Sequence, residues 1–240
     1  MFIITVNSIE YYEKENYLPD MDIKDANIEF TFKPNTWTNG NVEVIVSNND
    51  SKYVVQLSKD AENWTTSNAM NFDENRTIYA RLKDPIGRVS DYASRKISII
   101  DKEKPLISTA LTSTSQTTNS ISLSIGATDT LSGLGKVEWY YGTTNNPTTL
   151  GATTSITTLN ENTKGPTTAQ TKEQTINGLA SGTTYYFKAV VYDVAGNQAS
   201  STVIRAKTKN PTAGDISYTP SDSSWKVDNV KSALDYFLNK

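Results

Sequence analysis

The sequence predicts an all-β protein built from two β-sandwiches in series, followed by a short C-terminal helix. Apolar residues alternate with polar residues in many short runs, which is the pattern of half-buried strands. These runs recur about every ten residues with turn signals between them, a spacing typical of sandwiches and barrels. A length of 240 residues suits two domains better than one.

The composition excludes several classes of protein. The chain has no cysteine and no histidine, so it offers no disulfide, no zinc–thiolate site and no Ser-His-Asp triad. The net charge of −3 argues against nucleic-acid binding, which needs a stripe of Lys and Arg. No segment approaches the roughly 20 apolar residues that span a bilayer. The sequence therefore predicts no catalysis, no cofactor, no nucleic-acid partner and no membrane insertion.

The first predicted sandwich covers residues 23–101, after an N-terminal segment and linker at residues 1–22 in which Phe2, Ile4 and Val6 form a short strand. Its predicted strands lie at residues 28–32, 42–46, 53–57, 78–82 and 97–99. The Asn-Gly pair at 39–40 is a strong turn signal ahead of the second of these strands.

The second predicted sandwich covers residues 102–210, with alternation at 121–125, 137–141 and 187–191. The Thr-, Asn- and Gly-rich stretch 142–174 is predicted to be a loop, apart from an edge strand at 156–159. Residues 101–105 are predicted to be a short charged joint before this sandwich, stiffened by its proline.

A local repeat links the two halves. A predicted strand runs into Asp-x-x-Gly at residues 84–87 and again at residues 193–196. A further predicted strand follows each time. The pattern predicts a hairpin with its glycine at positive φ, and it supports two related sandwiches.

The run Leu-Ala-Ser-Gly-Thr-Thr-Tyr at 179–185 resembles the Leu-x-Pro-Gly-Thr-x-Tyr run of fibronectin type III modules, with Ser181 where proline is usual. The resemblance covers about 100 residues and implies a sandwich in which Tyr185 is the tyrosine corner, its hydroxyl bonded back to the backbone. The second strand of that family carries a core tryptophan, whereas residues 125–127 here have none. Trp139 on the next strand is expected to fill that space.

The first half resembles bacterial immunoglobulin-like repeats that start with Trp-Thr-Asn-Gly. The matching residues are Trp37, Thr38, Asn39 and Gly40, then Tyr53, Leu57, Ser58, Asp60 and Trp64, then Tyr79, Ala80, Arg81 and Asp84. Such repeats occur as spacers in large surface proteins. The resemblance therefore implies a structural role.

The C-terminal tail, residues 211–240, is predicted to be an oligomerisation element. Asp-Ile-Ser-Tyr at 215–218 and Asn-Val-Lys-Ser-Ala-Leu-Asp-Tyr at 229–236 resemble a strand and short helix of phage tail-fibre and bacterial surface proteins, often at an oligomeric stalk. Asp228 is expected to cap this helix. Because so short a helix is marginal alone, it should pack on its own sandwich or on other copies of the chain. The side chains expected to share one face are Val230, Leu234 and Phe237 or Leu238.

Two acidic turns are candidates for a metal site. Asp129 with Ser132-Gly133, and Asp193 with Gly196-Asn197, are expected to converge at one end of the second sandwich. A calcium ion would need about 6–8 oxygen ligands, more than these residues supply alone. Asp and Gly are also ordinary turn formers. The turn interpretation is therefore preferred, and no metal is predicted.

Aromatic side chains are candidates for a partner surface. Four tryptophans either pack at the core or form a platform for a sugar: Trp37 and Trp64, which lie near turns, and Trp139 and Trp225. Tyr140 and Tyr186 should point away from the core, either to contact a partner or to form pairs on a solvated face. The acidic residues are scattered over turns and linkers, so no carboxylate pair for glycoside hydrolysis is predicted.

The predicted function is a non-catalytic structural or adhesive module of a surface-exposed protein, extracellular or at the cell surface. It would act as a spacer and as a scaffold that contacts a protein or a cell-surface glycan. One alternative is a phage virion protein, a fibre or a capsid or tail decoration protein, that self-associates through the C-terminal helix. The absence of signal-peptide features at the start favours such a virion location. Another alternative is a carbohydrate-binding accessory module.

Overall fold

The computed structural model of the chain describes residues 28–158, 163–215, 217 and 228–238. The predicted N-terminal strand at Phe2, Ile4 and Val6 lies outside these residues, as does Trp225. The chain divides into two compact units, of which the second begins at Asp101 and also includes residues 36–39.

The secondary structure of the described residues is almost entirely β. The strands of the first unit are β1 Ile28–Lys33, β2 Val42–Asn48, β3 Val54–Ser58, β4 Thr65–Thr66, β5 Ala69–Phe72, β6 Thr77–Lys83 and β7 Ala93–Lys96. The strands of the second unit are β8 Leu106–Gln116, β9 Ser120–Thr128, β10 Leu134–Gly142, β11 Thr149–Ser155, β12 Gln170–Asn177, β13 Thr184–Asp193, β14 Gln198–Ser200 and β15 Ile204–Lys207. The helix α1 spans Val230–Leu238.

The first unit is a sandwich of two antiparallel sheets, β1-β2-β5 and β4-β3-β6-β7. Val42, Val44 and Val46 of β2 point inward and are buried, whereas Glu43 and Ile45 between them are not. They join a core to which the facing sheet contributes Val55, Leu57, Ile78, Ala80 and Leu82. Burial of such side chains contributes about 1.5–3 kcal/mol each, so the alternation in the sequence determines which face of each strand is inside.

The second unit is a sandwich of the sheets β12-β9-β8 and β11-β10-β13-β14, in which β15 also pairs with β13. The residues predicted to point inward do so: those at the centre of the core are Ile121, Leu123, Ile125, Val137, Trp139, Phe187, Ala189 and Val191. Trp139 is fully buried, and its Nε1–H donates to Thr154 Oγ1 at 2.9 Å. It therefore belongs to the core rather than to a sugar platform.

The tyrosine corner expected at Tyr185 is present. The ring is buried against Tyr141 and Phe187, and the hydroxyl accepts a hydrogen bond from the N–H of Ala180 at 3.0 Å. The bond ties β13 to the turn that precedes it. This contact is the structural basis of the likeness to fibronectin type III modules.

Tyr185→Phe should destabilise the second unit by about 1–3 kcal/mol, because the N–H of Ala180 then loses its acceptor. Urea unfolding of the whole chain, with hydrogen exchange to locate the effect, would measure it. Tyr186→Phe is the matched control, since Tyr186 lies on the opposite face of β13 and its hydroxyl has no hydrogen bond within the described chain. Equal losses in the two variants would contradict the role given to Tyr185.

Several local predictions were wrong. The stretch 142–174 is not mainly loop, because it contains β11 and the first residues of β12. The edge strand beside β10 is β11, which has no apolar alternation; residues 156–158 form no strand, and residue 159 lies outside the described residues. Residues 97–99 form no strand, although Ile97 is buried. The cap of α1 is Asn229 rather than Asp228, because Asn229 Oδ1 accepts the N–H of Ser232 at 2.8 Å.

The repeated hairpin is confirmed in both units. Gly87 has a φ of 96° and Gly196 a φ of 94°, the left-handed conformation that glycine adopts without strain. In each case the preceding aspartate accepts backbone N–H groups across the turn, Asp84 from Arg88 and Asp193 from Asn197, both at 2.8 Å.

Candidate functional site

Three aspartate side chains come together in the second unit. Carboxylate oxygens of Asp101, Asp129 and Asp193 lie within 4.8 Å of one another. The three residues are only 0%, 4% and 4% exposed. None of them forms an ion pair with a Lys or Arg in the part of the chain that the structure describes. Like charges buried this close repel one another, so uptake of a proton or binding of a cation by the cluster is favoured.

The two aspartates expected to converge are held by their own turns. Asp129 follows β9, and its Oδ1 accepts the N–H groups of Leu131 at 3.2 Å and Gly133 at 2.6 Å. Asp193 ends β13, and its two oxygens accept the backbone N–H and the side-chain Nδ2–H of Asn197, both at 2.8 Å. The turn chemistry that the sequence predicts therefore orients both carboxylates.

Asp101 is the member that sequence reasoning missed, because it opens the charged run 101–105, whose pattern predicts a short joint. Its Oδ2 accepts the N–H of Ser132 at 2.8 Å and its Oδ1 that of Glu103 at 3.0 Å. Its carbonyl accepts Asn197 Nδ2–H at 2.8 Å. The expectation that the acidic residues are scattered over turns and linkers is therefore wrong for Asp101, whereas Asp129 and Asp193 converge as expected.

The pKa of Asp193 is raised to about 6, and burial is the largest cause. The hydrogen bonds from Asn197 lower this pKa, whereas the charges of Asp101 and Asp129 raise it. The carboxyl group is thus close to half-protonated at mildly acidic pH. Proton uptake is the simplest way for the cluster to lose one charge.

A hard cation is the other way to compensate the charge. Five of the six carboxylate oxygens accept an N–H group, and Oδ2 of Asp129 accepts none from the described residues. A calcium ion takes about 6–8 oxygens, so water or main-chain carbonyls would have to complete a shell around these three carboxylates. The hydrogen bonds themselves are explained by the turns alone.

The two tryptophans proposed for a partner surface are both half-buried. The guanidinium of Arg81 lies 4.1 Å from the ring centroid of Trp64. The ammonium of Lys164 lies 6.0 Å from the ring centroid of Trp37. A cation therefore covers one face of each ring, which leaves only the opposite face for a sugar.

The outward face of β10 and β13 carries Tyr140 and Tyr186, both half-buried. Glu138 accepts the hydroxyls of Tyr140 at 2.8 Å and Tyr192 at 3.0 Å, and pairs with Lys136 at 2.6 Å. The bond from Lys136 is the main cause of a lowered pKa of Glu138, and the bond to Glu138 raises the pKa of Tyr140. The polar groups of this face are therefore largely satisfied by one another.

The helix α1 leaves apolar side chains in water. Leu234 is 53% exposed and Leu238 82% exposed, while Val230 is half-buried. Lys231 pairs with Asp235 along the helix. The side chain of Phe237 lies outside the described part. Self-association through this helix stays a prediction.

Comparison with known structures agrees with the architecture. Domains A168–A170 of titin match with a TM-score of 0.50 at 12% identity, over 77% of this chain and 66% of that chain. The fold is that of tandem immunoglobulin-like sandwiches. The FN1–FN3 domains of chicken CNTN1 give a TM-score of 0.39 at 12% identity, over 78% of this chain and 67% of that chain.

Sequence comparison gives a partial relative. A stretch of 165 residues, 65% of this chain, is 30% identical to chitinase A1 of Niallia circulans. The chain spans only 20% of that protein. No family model matches the chain. Within the described residues, no helix has the length and apolar character needed to cross a membrane.

Proposed function

We propose that this chain is a non-catalytic structural module of a surface-exposed protein, acting as a spacer and scaffold. The observation that carries the proposal is that both sandwiches are filled by apolar side chains. A filled core between two sheets suits a spacer, whereas a ligand-binding barrel would enclose a cavity. The similarity to one fifth of a chitinase suits a module that recurs in otherwise different proteins.

Two surface grooves in the described residues suit a non-catalytic role. A groove of about 470 Å³ on the outer face of β9 and β12 contains Glu173 as its one carboxylate. Another, of about 440 Å³ beside β2 and β3, is lined without any carboxylate. Glycoside hydrolysis uses two carboxylates across a cleft. The close set of three acids, Asp101 with its two partners, is buried and bonded to N–H groups.

Antibody raised against the folded chain should label intact cells that produce it, and purified chain should release no sugar from colloidal chitin. A cytoplasmic protein detected only after lysis is the control for labelling. Labelling that appears only after lysis would contradict a cell-surface role. Labelling of phage particles would support the virion alternative. Chitin hydrolysis that disappears in Asp101→Asn would contradict the absence of catalysis.

A carbohydrate-binding accessory role is the second candidate, favoured by the chitinase name of the partial relative and by the partial exposure of Trp37. Sedimentation of the chain with insoluble chitin tests it. Retention that is lost in Trp37→Ala but kept in Trp64→Ala would support this role. The absence of retention would leave the spacer role alone.

A further inference from the structure

The outer face of the sheet β4-β3-β6-β7 has features that the spacer role does not need. On β6, Ile78, Ala80 and Leu82 point into the core, so Tyr79, Arg81 and Lys83 point outward. Directly paired residues of an antiparallel sheet share a face. Pairing therefore adds Val54, opposite Lys83, and Val89, which forms a bridge to Lys83, to this outer face.

Large apolar and aromatic side chains are exposed on this face. Val54 is 48% exposed, Val89 45% and Tyr92 55%. Tyr92 packs edge-on against Tyr79 with 5.3 Å between ring centroids, and lies 6.2 Å from Trp64. Large apolar side chains exposed together on one face of a sheet indicate an interaction site more often than a face that meets only solvent. Trp, Tyr and Arg are also the residues enriched where interfaces gain most of their binding energy.

Arg81 lies at the centre of this face and is pre-ordered. Its guanidinium stacks on Trp64, and its Nε–H donates to Gln56 Oε1 at 2.9 Å. Gln56 in turn donates to Thr66 Oγ1 at 3.3 Å. The two terminal NH₂ groups of Arg81 have no acceptor in the described chain. A guanidinium held this way loses little side-chain freedom when it binds a carboxylate in a two-pronged hydrogen bond.

The strands of this face carry outward charges of one sign. The outward positions of β3, β4, β6 and β7 carry the cations Arg81, Lys83 and Lys96 and no carboxylate. None of the three forms an ion pair within the described residues. The outward face of β10 and β13 in the second unit differs, because Glu138 there neutralises Lys136 and binds two tyrosine hydroxyls.

We infer that the outer face of β4-β3-β6-β7 docks a protein segment that presents a carboxylate flanked by apolar side chains. The carboxylate would bind Arg81, and the apolar flanks would cover Tyr92 and the valines. A polysaccharide with acidic sugars fits less well, because Arg81 already covers one face of Trp64 and the aliphatic Val54 and Val89 gain little from a polar sugar. The inference adds a partner to the proposed scaffold. It rests on the proposed function only in requiring that partners can reach this surface.

A phage-displayed library of random linear peptides, panned on the whole chain, tests the inference. Selected peptides should carry Asp or Glu beside Trp, Phe or Leu. Arg81→Ala and Tyr92→Ala should each weaken their binding about tenfold or more, and added salt should weaken it further. Arg205→Ala, which removes an exposed arginine of β15 in the other unit, should leave binding unchanged.

A charge exchange separates a loss of binding from a loss of folding if Arg81→Ala also destabilises the sheet. Arg81→Glu should lose the acidic peptides and bind the same peptides once Lys replaces their acidic residue. Peptides without acidic residues, or equal binding to Arg81→Ala, would overturn the inference. Binding of polygalacturonate that depends on Arg81, without acidic peptides, would overturn the choice of a protein partner. Antibody labelling of intact cells, which tests the spacer proposal, does not depend on peptide binding. Failure of the spacer proposal can therefore be distinguished from failure of this inference.

Discussion

Gly133→Ala should lower the melting temperature of the second unit by more than about 10 °C or prevent it from folding. Gly133 has a φ of 81°, which strains any residue with a Cβ atom. An added Cβ would also lie 2.2 Å from the carbonyl oxygen of Gly165. The conformational strain and the steric clash together amount to about 3 kcal/mol or more.

The clash at Gly133 cannot relax without loss of hydrogen bonds. The N–H of Gly165 donates to the carbonyl of Ser132 at 2.8 Å, which holds the two backbones together. The N–H of Gly133 donates to Asp129 at 2.6 Å. A shift of either segment would therefore leave a buried polar group unpaired, which adds to the destabilisation.

Gly178→Ala is the matched control for this prediction. Gly178 has a φ of 75°, but an added Cβ there would meet no atom within 4 Å. It should therefore show only the conformational part of the effect, about 1–2 kcal/mol. Thermal unfolding of both variants, with hydrogen exchange over residues 106–209, separates the two contributions. Similar losses in the two variants would show that the contact with Gly165 is unimportant.

Residues whose position follows from strand periodicity could be predicted from the sequence. Trp139, Phe187 and Val191 are buried because alternate residues on a strand face one way, and only one face of each sheet meets the core. The tyrosine corner was predicted from a local run, since Tyr185 reaches back only five residues to Ala180. Both kinds of feature are encoded within a few neighbouring positions.

The features that could not be predicted depend on contacts between distant residues. Asp101 joins the acidic cluster through Ser132, 31 residues away, and Asn197, 96 residues away. No local pattern distinguishes it from a solvated charge in a linker. Arg81 on β6 and Trp64 just before β4 are likewise 17 positions apart in the sequence, and their stacking depends on sheet register. Sequence patterns therefore reveal the apolar cores but miss the polar sites that form only when distant residues come together in the fold.

Asp129→Asn should stabilise the protein near neutral pH and flatten the dependence of its stability on pH. In the folded state the pKa of Asp193 is about 6, above its ordinary 3.8. Between those values the folded state holds a proton that the unfolded state has released, so stability falls as pH rises through this window. Above about pH 6 the folded state carries the full cost of an ionised, buried Asp193, on the order of 3 kcal/mol.

Other acidic groups act outside that window. The pKa values of Asp84, Glu138 and Asp215 are lowered. For Asp84, desolvation is the largest influence and opposes this lowering, which hydrogen bonds from Arg88 outweigh. The main cause is the hydrogen bond from Lys136 for Glu138 and the hydrogen bond from Thr212 for Asp215. Their contributions are complete above their ordinary values and are lost only on further acidification. Between about pH 5 and 7 the slope therefore reports mainly on Asp193.

Asparagine at position 129 suits the cluster because it removes a charge and keeps the acceptor. Its Oδ1 can still accept the N–H groups of Leu131 and Gly133, while its NH₂ group replaces Oδ2, which accepts no hydrogen bond from the described residues. A buried donor then replaces a buried like charge. We expect a gain of about 1–2 kcal/mol near pH 7 and little change near pH 5.

Melting curves at about pH 5 and about pH 7, in EDTA and then in excess Ca²⁺, distinguish proton from cation compensation. Glu173→Gln makes the same charge change at an exposed site and should leave the slope of the parent chain intact. If Ca²⁺ raises the melting temperature of the parent chain near pH 7 and abolishes its slope, but leaves the melting temperature of Asp129→Asn unchanged, a cation rather than a proton neutralises the three aspartates. A parent chain in EDTA that melts at the same temperature at both pH values would show that Asp193 does not carry the raised pKa on which this prediction depends.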